Sequence, residues 1–99
     1  MKLEQFNKKG IEKALTLIKA LDNPKRLMIL CFLCDEELTV SALAERIGLT
    51  LSPTSQHLSI LREKGLVKTK KEEQKVYYSL KSNEVSKVIG LLQDLYCKT

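Results

Sequence analysis

LTVSALAERIGLTLSPTSQHLSILREKG, residues 38–65, holds two apolar repeats of helical spacing on either side of a short turn. In the first, Val40, Leu43, Ala44 and Ile47 recur three and four residues apart, as one face of a helix does. Thr39 stands where an N-cap belongs, and Gly48 stands where a helix stops. In the second, Thr54, Leu58 and Leu61 make the buried stripe, and Gly65 closes it. Ser52 followed by Pro53 reads as an N-cap and first helical residue, where proline's missing N–H costs nothing. Helix, glycine-containing turn, helix is the pattern of a helix-turn-helix. The second helix also carries side chains that a core does not need. Ser52, Ser55, Gln56, His57 and Ser59 gather toward its N-terminal half. A recognition helix presents such groups to base edges and phosphates. The plainer reading is a solvated helix face, so the neighbouring segments decide.

After Gly65 the period changes from helical to alternating. LVKTKKEEQKVYYSL predicts two short strands, 66–71 and 75–80, joined by a charged turn at 72–74. Val67, Thr69, Val76, Tyr77, Tyr78 and Leu80 supply the strand propensity. A charged hairpin directly after a recognition helix is a wing. Lys68, Lys70, Lys71 and Lys75 would extend from it toward phosphates; otherwise they are edge lysines that keep a strand from pairing with another chain. The charge balance favours the first reading. Net charge is +5 and the pI about 9.2, and from Arg62 to Lys81 seven basic residues face three acidic ones. A basic patch of this kind points to a polyanion. The expected DNA contacts are therefore Ser52, Thr54, Ser55, Gln56 and His57 on the helix, with Lys70, Lys71 and Lys75 on the wing.

Ninety-nine residues make one domain with a modest core. With 43% hydrophobic and 29% charged residues, the chain has the composition of a globular protein. No apolar run approaches the roughly 18 residues of a membrane helix. MKLEQFNKKG lacks the apolar stretch of a signal peptide, so a cytoplasmic location is the default expectation. Residues 3–21 open with an amphipathic pattern: Leu3, Phe6, Ile11, Ala14, Leu15, Ile18 and Leu21. Asn23-Pro24 starts a second helix, apolar nearly all round from Leu27 to Leu33, which is the candidate for the buried centre. Asn83 caps a last helix with Val85, Val88, Ile89, Leu92, Leu95 and Tyr96 on a broad apolar stripe. A winged domain needs only three helices and a hairpin for its core. The two extra amphipathic helices, one at each end, are most simply explained by a homodimer interface built from Leu15, Ile18, Ile89, Leu92 and Leu95. The expected fold is mainly α, a winged helix-turn-helix in the order α-α-α-α-β-β-α.

Cys31-Phe32-Leu33-Cys34 is a CxxC, but it closes an apolar helix. Thioredoxin-like chemistry needs the motif at a helix N-terminus in a βαβ setting. No Ser/His/Asp grouping, paired carboxylates or phosphate-cradling glycine loop is evident either, so an enzyme is not expected.

LIKALDNPKRLMIL, LTVSALAERIGL, SPTSQHLSILREKGLV and QKVYYSL, in this order, resemble the ArsR/SmtB family of winged-helix repressors over roughly residues 14–97. The resemblance implies a dimer that binds a double-stranded DNA operator and lets go when an inducer occupies its sensor site. Where the family's soft-metal sensors carry cysteines, this chain has Thr39 and Ser41, poor ligands for soft metals. Where its zinc and nickel sensors place Asp, His and Glu, the last helix offers Glu84 and Asp94 but no histidine. No conventional metal site and no cofactor are expected. Cys31 and Cys97, in ILC and LYC, instead look like the branch of the family that senses reactive sulfur species through two thiols; Cys34 is an addition to that pattern. Buried packing of the cysteines, or a soft-metal site using all three, are the competing readings. Cys31 and Cys34 lie toward a helix C-terminus, where the dipole disfavours a thiolate, so an activating group is missing from the sequence.

Overall fold

Each helix begins at a residue whose side chain or position suits a cap. The computed structural model describes residues 7–97. The first helix, α1 (Lys8–Leu21), starts after Asn7, whose Oδ1 accepts from the Gly10 N–H at 2.7 Å. Leu3 and Phe6, expected in the same helix, lie outside the described residues. Asn23 caps α2 (Pro24–Leu33) by accepting from the N–H groups of Lys25 and Arg26. Thr39 caps α3 (Val40–Ile47), as expected. That helix ends at Gly48, whose φ of 72° lies in the left-handed region that a side chain makes costly.

Two other caps differ from the sequence reading. The helix α4 (Leu51–Glu63) starts at Thr50, not Ser52. Pro53 thus sits at the third helical position, where the N–H has no intrahelical partner to lose. The last helix, α5 (Asn83–Tyr96), takes Ser82 rather than Asn83 as its cap, with Ser82 Oγ accepting from Val85 N–H. Between them β1 (Val67–Glu72) and β2 (Lys75–Leu80) form one antiparallel hairpin, in register from Val67↔Leu80 to Glu72↔Lys75. Glu72 belongs to the strand, so the turn is shorter than expected, and Glu73 makes it with a φ of 57°. On the other edge of β2, Leu38 and Tyr78 exchange both backbone hydrogen bonds, at 3.1 and 2.7 Å. This bridge fixes the wing to the residue before the α3 cap.

The observed order is the expected one, a mainly α winged helix-turn-helix. As its composition suggested, α2 is the hub: it packs against α1, α3, α4, α5 and β2. Its Ile29 and Leu30 are fully buried with Leu43, Leu58, Leu61 and Ile89. Two basic side chains lock the neighbours to it. Arg26 donates from Nε to Ala20 O at 2.8 Å and from Nη2 to Lys19 O at 3.2 Å, clasping the end of α1. Lys25 Nζ donates to Ile47 O at 2.8 Å, placing a cation at the negative end of α3. No helix among the described residues is long and apolar enough to cross a membrane.

Candidate nucleic-acid interface and thiol cluster

The two sides of α4 have different work. Thr54, Leu58 and Leu61 are buried, while Ser52, Ser55, Gln56 and Ser59 are exposed. Those four follow i, i+3, i+4, i+7 and make one stripe of short or planar hydrogen-bonding groups. Thr54 must be removed from the expected contacts. It is fully buried, its Oγ1 donating to Thr50 O at 2.8 Å, so its hydroxyl is turned back onto the helix. His57 lies on the flank and is half-buried. Its Nδ1 is shielded from solvent with no hydrogen-bond partner among the described residues. Burial, and then the nearby Arg26 guanidinium, hold its pKa below the ordinary histidine value. Being half-buried, it is a weaker candidate for base contact than the exposed Gln56. The sequence reading missed Leu51. It opens α4 in line with Leu58, seven residues on, yet is 55% exposed. Its spacing matches the apolar face, so only its exposure in the structure sets it apart. It gives the reading end of the helix an apolar contact suited to a thymine methyl group.

The wing lysines do not act as one set. Directly opposed residues share a face of a hairpin, so Lys70, paired with Tyr77, and Lys75, paired with Glu72, lie on one side. Lys71, paired with Val76, lies on the other. Lys70 Nζ stands 3.4 Å from Glu37 Oε1 and 3.2 Å from Glu72 Oε1. Hydrogen bonds to Glu72 and Glu37 raise its pKa. Its charge is thus answered within the protein. Lys71 and Lys75 are exposed and form no ion pair among the described residues.

Of the expected interface residues, Leu15, Ile18 and Leu95 are exposed and Leu92 is half-buried. Ile89 is fully buried and serves the core of its own protomer, because the α5 stripe is wide enough to face two ways. Ile11 extends the exposed row on α1, and Leu91 and Tyr96 extend that on α5.

Packing of α2 against α5 brings together the cysteines that the sequence could not connect. All three are free: Cys31 and Cys34 half-buried, Cys97 exposed. Burial pushes the Cys31 thiol above its ordinary value, the nearby Cys97 adds to the rise, a hydrogen bond from Gln93 opposes it, and Asp35 raises it further. Cys34 is raised likewise by burial, then by Cys31 and Asp35, against a hydrogen bond from Ser86. Gln93 and Ser86 are α5 residues that the sequence reading passed over, since only the helix pairing gives them a role. No group of three or more Cys, His, Asp or Glu side chains among the described residues is arranged to hold a metal ion.

Comparison with known proteins agrees with this geometry. The family described as bacterial regulatory protein, arsR family, matches residues 23–69. The chain is 49% identical over 98 residues to the transcriptional activator HlyU of Vibrio cholerae, covering 99% of this chain and 90% of that protein. A solved structure of HlyU from Vibrio cholerae N16961 superposes with a TM-score of 0.89 at 50% identity, covering 93% of this chain and 100% of the other. Reduced HlyU from the same strain superposes with a TM-score of 0.86 at 51% identity, over 91% and 95% of the two chains. The transcriptional repressor BigR from Xylella fastidiosa gives 0.89 at 30% identity over 100% of both chains. The homodimeric winged helix-turn-helix DNA-binding domain of Mb0332 from Mycobacterium bovis gives 0.79 at 32% identity, over 86% of this chain and 79% of that one. Such relatives are transcriptional regulators and not enzymes. With its helix-turn-helix, its wing and nearly its whole length matched in this way, the chain belongs to the arsR family of bacterial transcriptional regulators.

Proposed function

We propose that this regulator is a cytoplasmic homodimeric repressor that releases its operator when Cys31 and Cys97 become linked by reactive sulfur. The observation that carries the reading is the thiol pair itself. Cys31 on α2 and Cys97 at the end of α5 are free and close enough for charge on one to raise the other. The homodimer of Mb0332 supports dimerisation through the exposed rows of α1 and α5, and BigR supports the sign of a repressor. HlyU is described as an activator, so the sign is part of what must be tested.

In the bound state the stripe Ser52, Ser55, Gln56 and Ser59 enters the major groove, with Leu51 against a thymine methyl and Lys71 and Lys75 on phosphates. The partner's α4 enters the next groove about 34 Å away. The exposed Cys97 is the first to react. Its thiolate attacks an inner sulfur of trisulfane, giving Cys97–S–S–SH and expelling one hydrogen sulfide. The Cys31 thiolate then attacks the middle sulfur of that chain, and a second hydrogen sulfide leaves. The product is Cys31–S–S–S–Cys97: two thiols are oxidised, and the two electrons reside in the expelled sulfide. The link draws the end of α5, with Leu95 and Tyr96, against α2. Those residues lie in the proposed interface, so the spacing of the two recognition helices changes.

Intact-mass analysis of the reduced protein treated with inorganic polysulfide, followed by operator titration, tests the proposal. The expected product is a Cys31–Cys97 link containing added sulfur. Operator affinity should fall by about 5–150-fold, the usual range of an allosteric coupling. Full release by polysulfide in the Cys31→Ser/Cys97→Ser double variant would overturn the mechanism. So would stoichiometric metal binding that needs all three cysteines and itself releases DNA.

A further inference from the structure

The last turn of α2 is wound more tightly than a regular α-helix. The Cys34 N–H is shared between Leu30 O at 3.1 Å and Cys31 O at 3.2 Å, and the Asp35 N–H donates to Phe32 O at 3.3 Å. Bonds that reach back three residues are of the 3₁₀ type, in which side chains three apart eclipse one another. Cys31 and Cys34 are two such side chains. Residues so spaced on an α-helix already stand about 5–6 Å apart at Cβ. A disulfide needs about 3.5–4.5 Å, so closing one takes a shift of about 1–2 Å at the end of the helix. Cys34 is the C-cap of α2, so a small adjustment of its backbone falls at the helix end. It also lines an open cleft of about 380 Å³, with Ser82, Asn83 and Ser86 beside it, which gives its sulfur room to turn. Cys31 thus has one thiol partner within its own helix and another on α5.

We propose that Cys34 is the resolving thiol of the switch, closing a local disulfide with Cys31 and setting Cys97 free. The inference rests on the Cys31–Cys97 reading above and adds the route back. In Cys31–S–S–S–Cys97 the Cys34 thiolate attacks Cys31 Sγ. A Cys34–Cys31 bond forms and the bond from Cys31 Sγ to the inserted sulfur breaks. The electron pair leaves on that sulfur, so Cys97 departs as a persulfide anion, while the proton of Cys34 goes to solvent. The step is an exchange and consumes no outside oxidant or reductant. The new disulfide lies within one turn of α2 and does not hold α5, so the operator-binding geometry returns while Cys31 and Cys34 remain oxidised.

Two measurements on the full chain test this. The first uses the Cys97→Ser variant treated with diamide, a thiol oxidant. The tryptic peptide running from Leu27 to Arg46 should then be lighter by two hydrogens, and neither of its thiols should alkylate. A peptide that stays fully reduced would overturn the dithiol. The second follows polysulfide-treated protein after excess reagent is removed. In the unaltered chain the Cys31–Cys97 link should decay into the Cys31–Cys34 disulfide as operator binding recovers without reductant. In Cys34→Ser the link should persist about tenfold longer or more, because an intramolecular thiol has been lost. Reduced Cys34→Ser should bind operator like the unaltered chain, which excludes misfolding as the cause. Equal lifetimes in the two proteins would overturn the resolving role. If no Cys31–Cys97 link forms in either protein, the sulfur reading itself fails, and the resolving role fails with it.

Discussion

Helices α4 and α5 are almost the same length, 13 and 14 residues, yet they are held in opposite ways. Thr54, Leu58 and Leu61 pin α4 along most of its length. Only Val85 and Ile89, both in its first half, are buried on α5, and its far end carries Leu95 at 59% and Tyr96 at 78% exposure. The first arrangement keeps a row of side chains at fixed spacing. The second leaves one end of a helix free to be drawn toward or away from α2. Groups that read a surface must be preorganised on a rigid element, while a switch needs an element of low local stability. One small domain meets both needs by distributing burial unequally between two helices.

The sharpest way to break this contrast is to truncate one leucine on each helix. Leu58→Ala should destabilise the protomer by about 2–5 kcal/mol, the range for a fully buried leucine. Urea denaturation should give that loss at every protein concentration. Leu95→Ala should leave the protomer's own core intact and weaken the dimer instead, by about 1.5–3 kcal/mol if the side chain is fully covered by the partner. Sedimentation at a series of concentrations would register it. If Leu95→Ala lowers stability independently of concentration, α5 is anchored at both ends and the contrast is lost.

A smaller effect is expected on the reading face. Gln56→Ala should cost about 1–3 kcal/mol of discrimination at one base pair if its amide makes a bidentate contact. Titration against operator duplexes with single base changes measures this, and unchanged specificity would remove Gln56 from the reading set. The smallest effect separates the wing lysines. Lys71→Ala should weaken binding to all sequences alike and reduce the salt slope by about 1. Lys70→Ala should change that slope less, since Glu37 and Glu72 already neutralise the ammonium group. Equal slopes for the two variants would mean that Lys70 abandons its carboxylates on DNA.

What could be read in the sequence divides along the same line. Periodicity and caps identified every helix, the hairpin and the polar stripe of α4, because these are local properties. Cap placement slipped where two cap-forming residues compete, as with Thr50 and Ser52 before Pro53, or Ser82 and Asn83. Proline is tolerated throughout a helix's first turn, so Pro53 marked a helix start without fixing its residue. Thr54 was assigned to both the buried stripe and the DNA contacts, and its burial decides for the first. Ile89 could not be told from Leu95 by spacing alone, since an apolar stripe does not say whether its own core or a second copy covers it. The environment of the thiols was the least legible part. Gln93, Ser86 and Cys97 reach Cys31 and Cys34 only through the packing of two helices far apart in the chain. The activating group that the sequence lacks does not emerge among the described residues either, for burial raises both thiols.

The exposed stripe of α4 bears on how such a regulator changes over generations. Ser52, Ser55, Gln56 and Ser59 touch DNA in the proposed complex but contribute nothing to the buried side of their helix. Surface substitutions of this kind usually shift stability by no more than about 0.5 kcal/mol. The left-handed Gly48 and the Lys25 cap on Ile47 hold the helix pair at its angle whichever side chains the stripe carries. A duplicated copy of the gene can therefore acquire a new operator one residue at a time, with every intermediate still folded. The thiols enjoy no such freedom, because Cys31 and Cys34 sit half inside the packing that holds α2 and α5 together. Descendants of this chain should diverge in the DNA they read sooner than in the signal they obey.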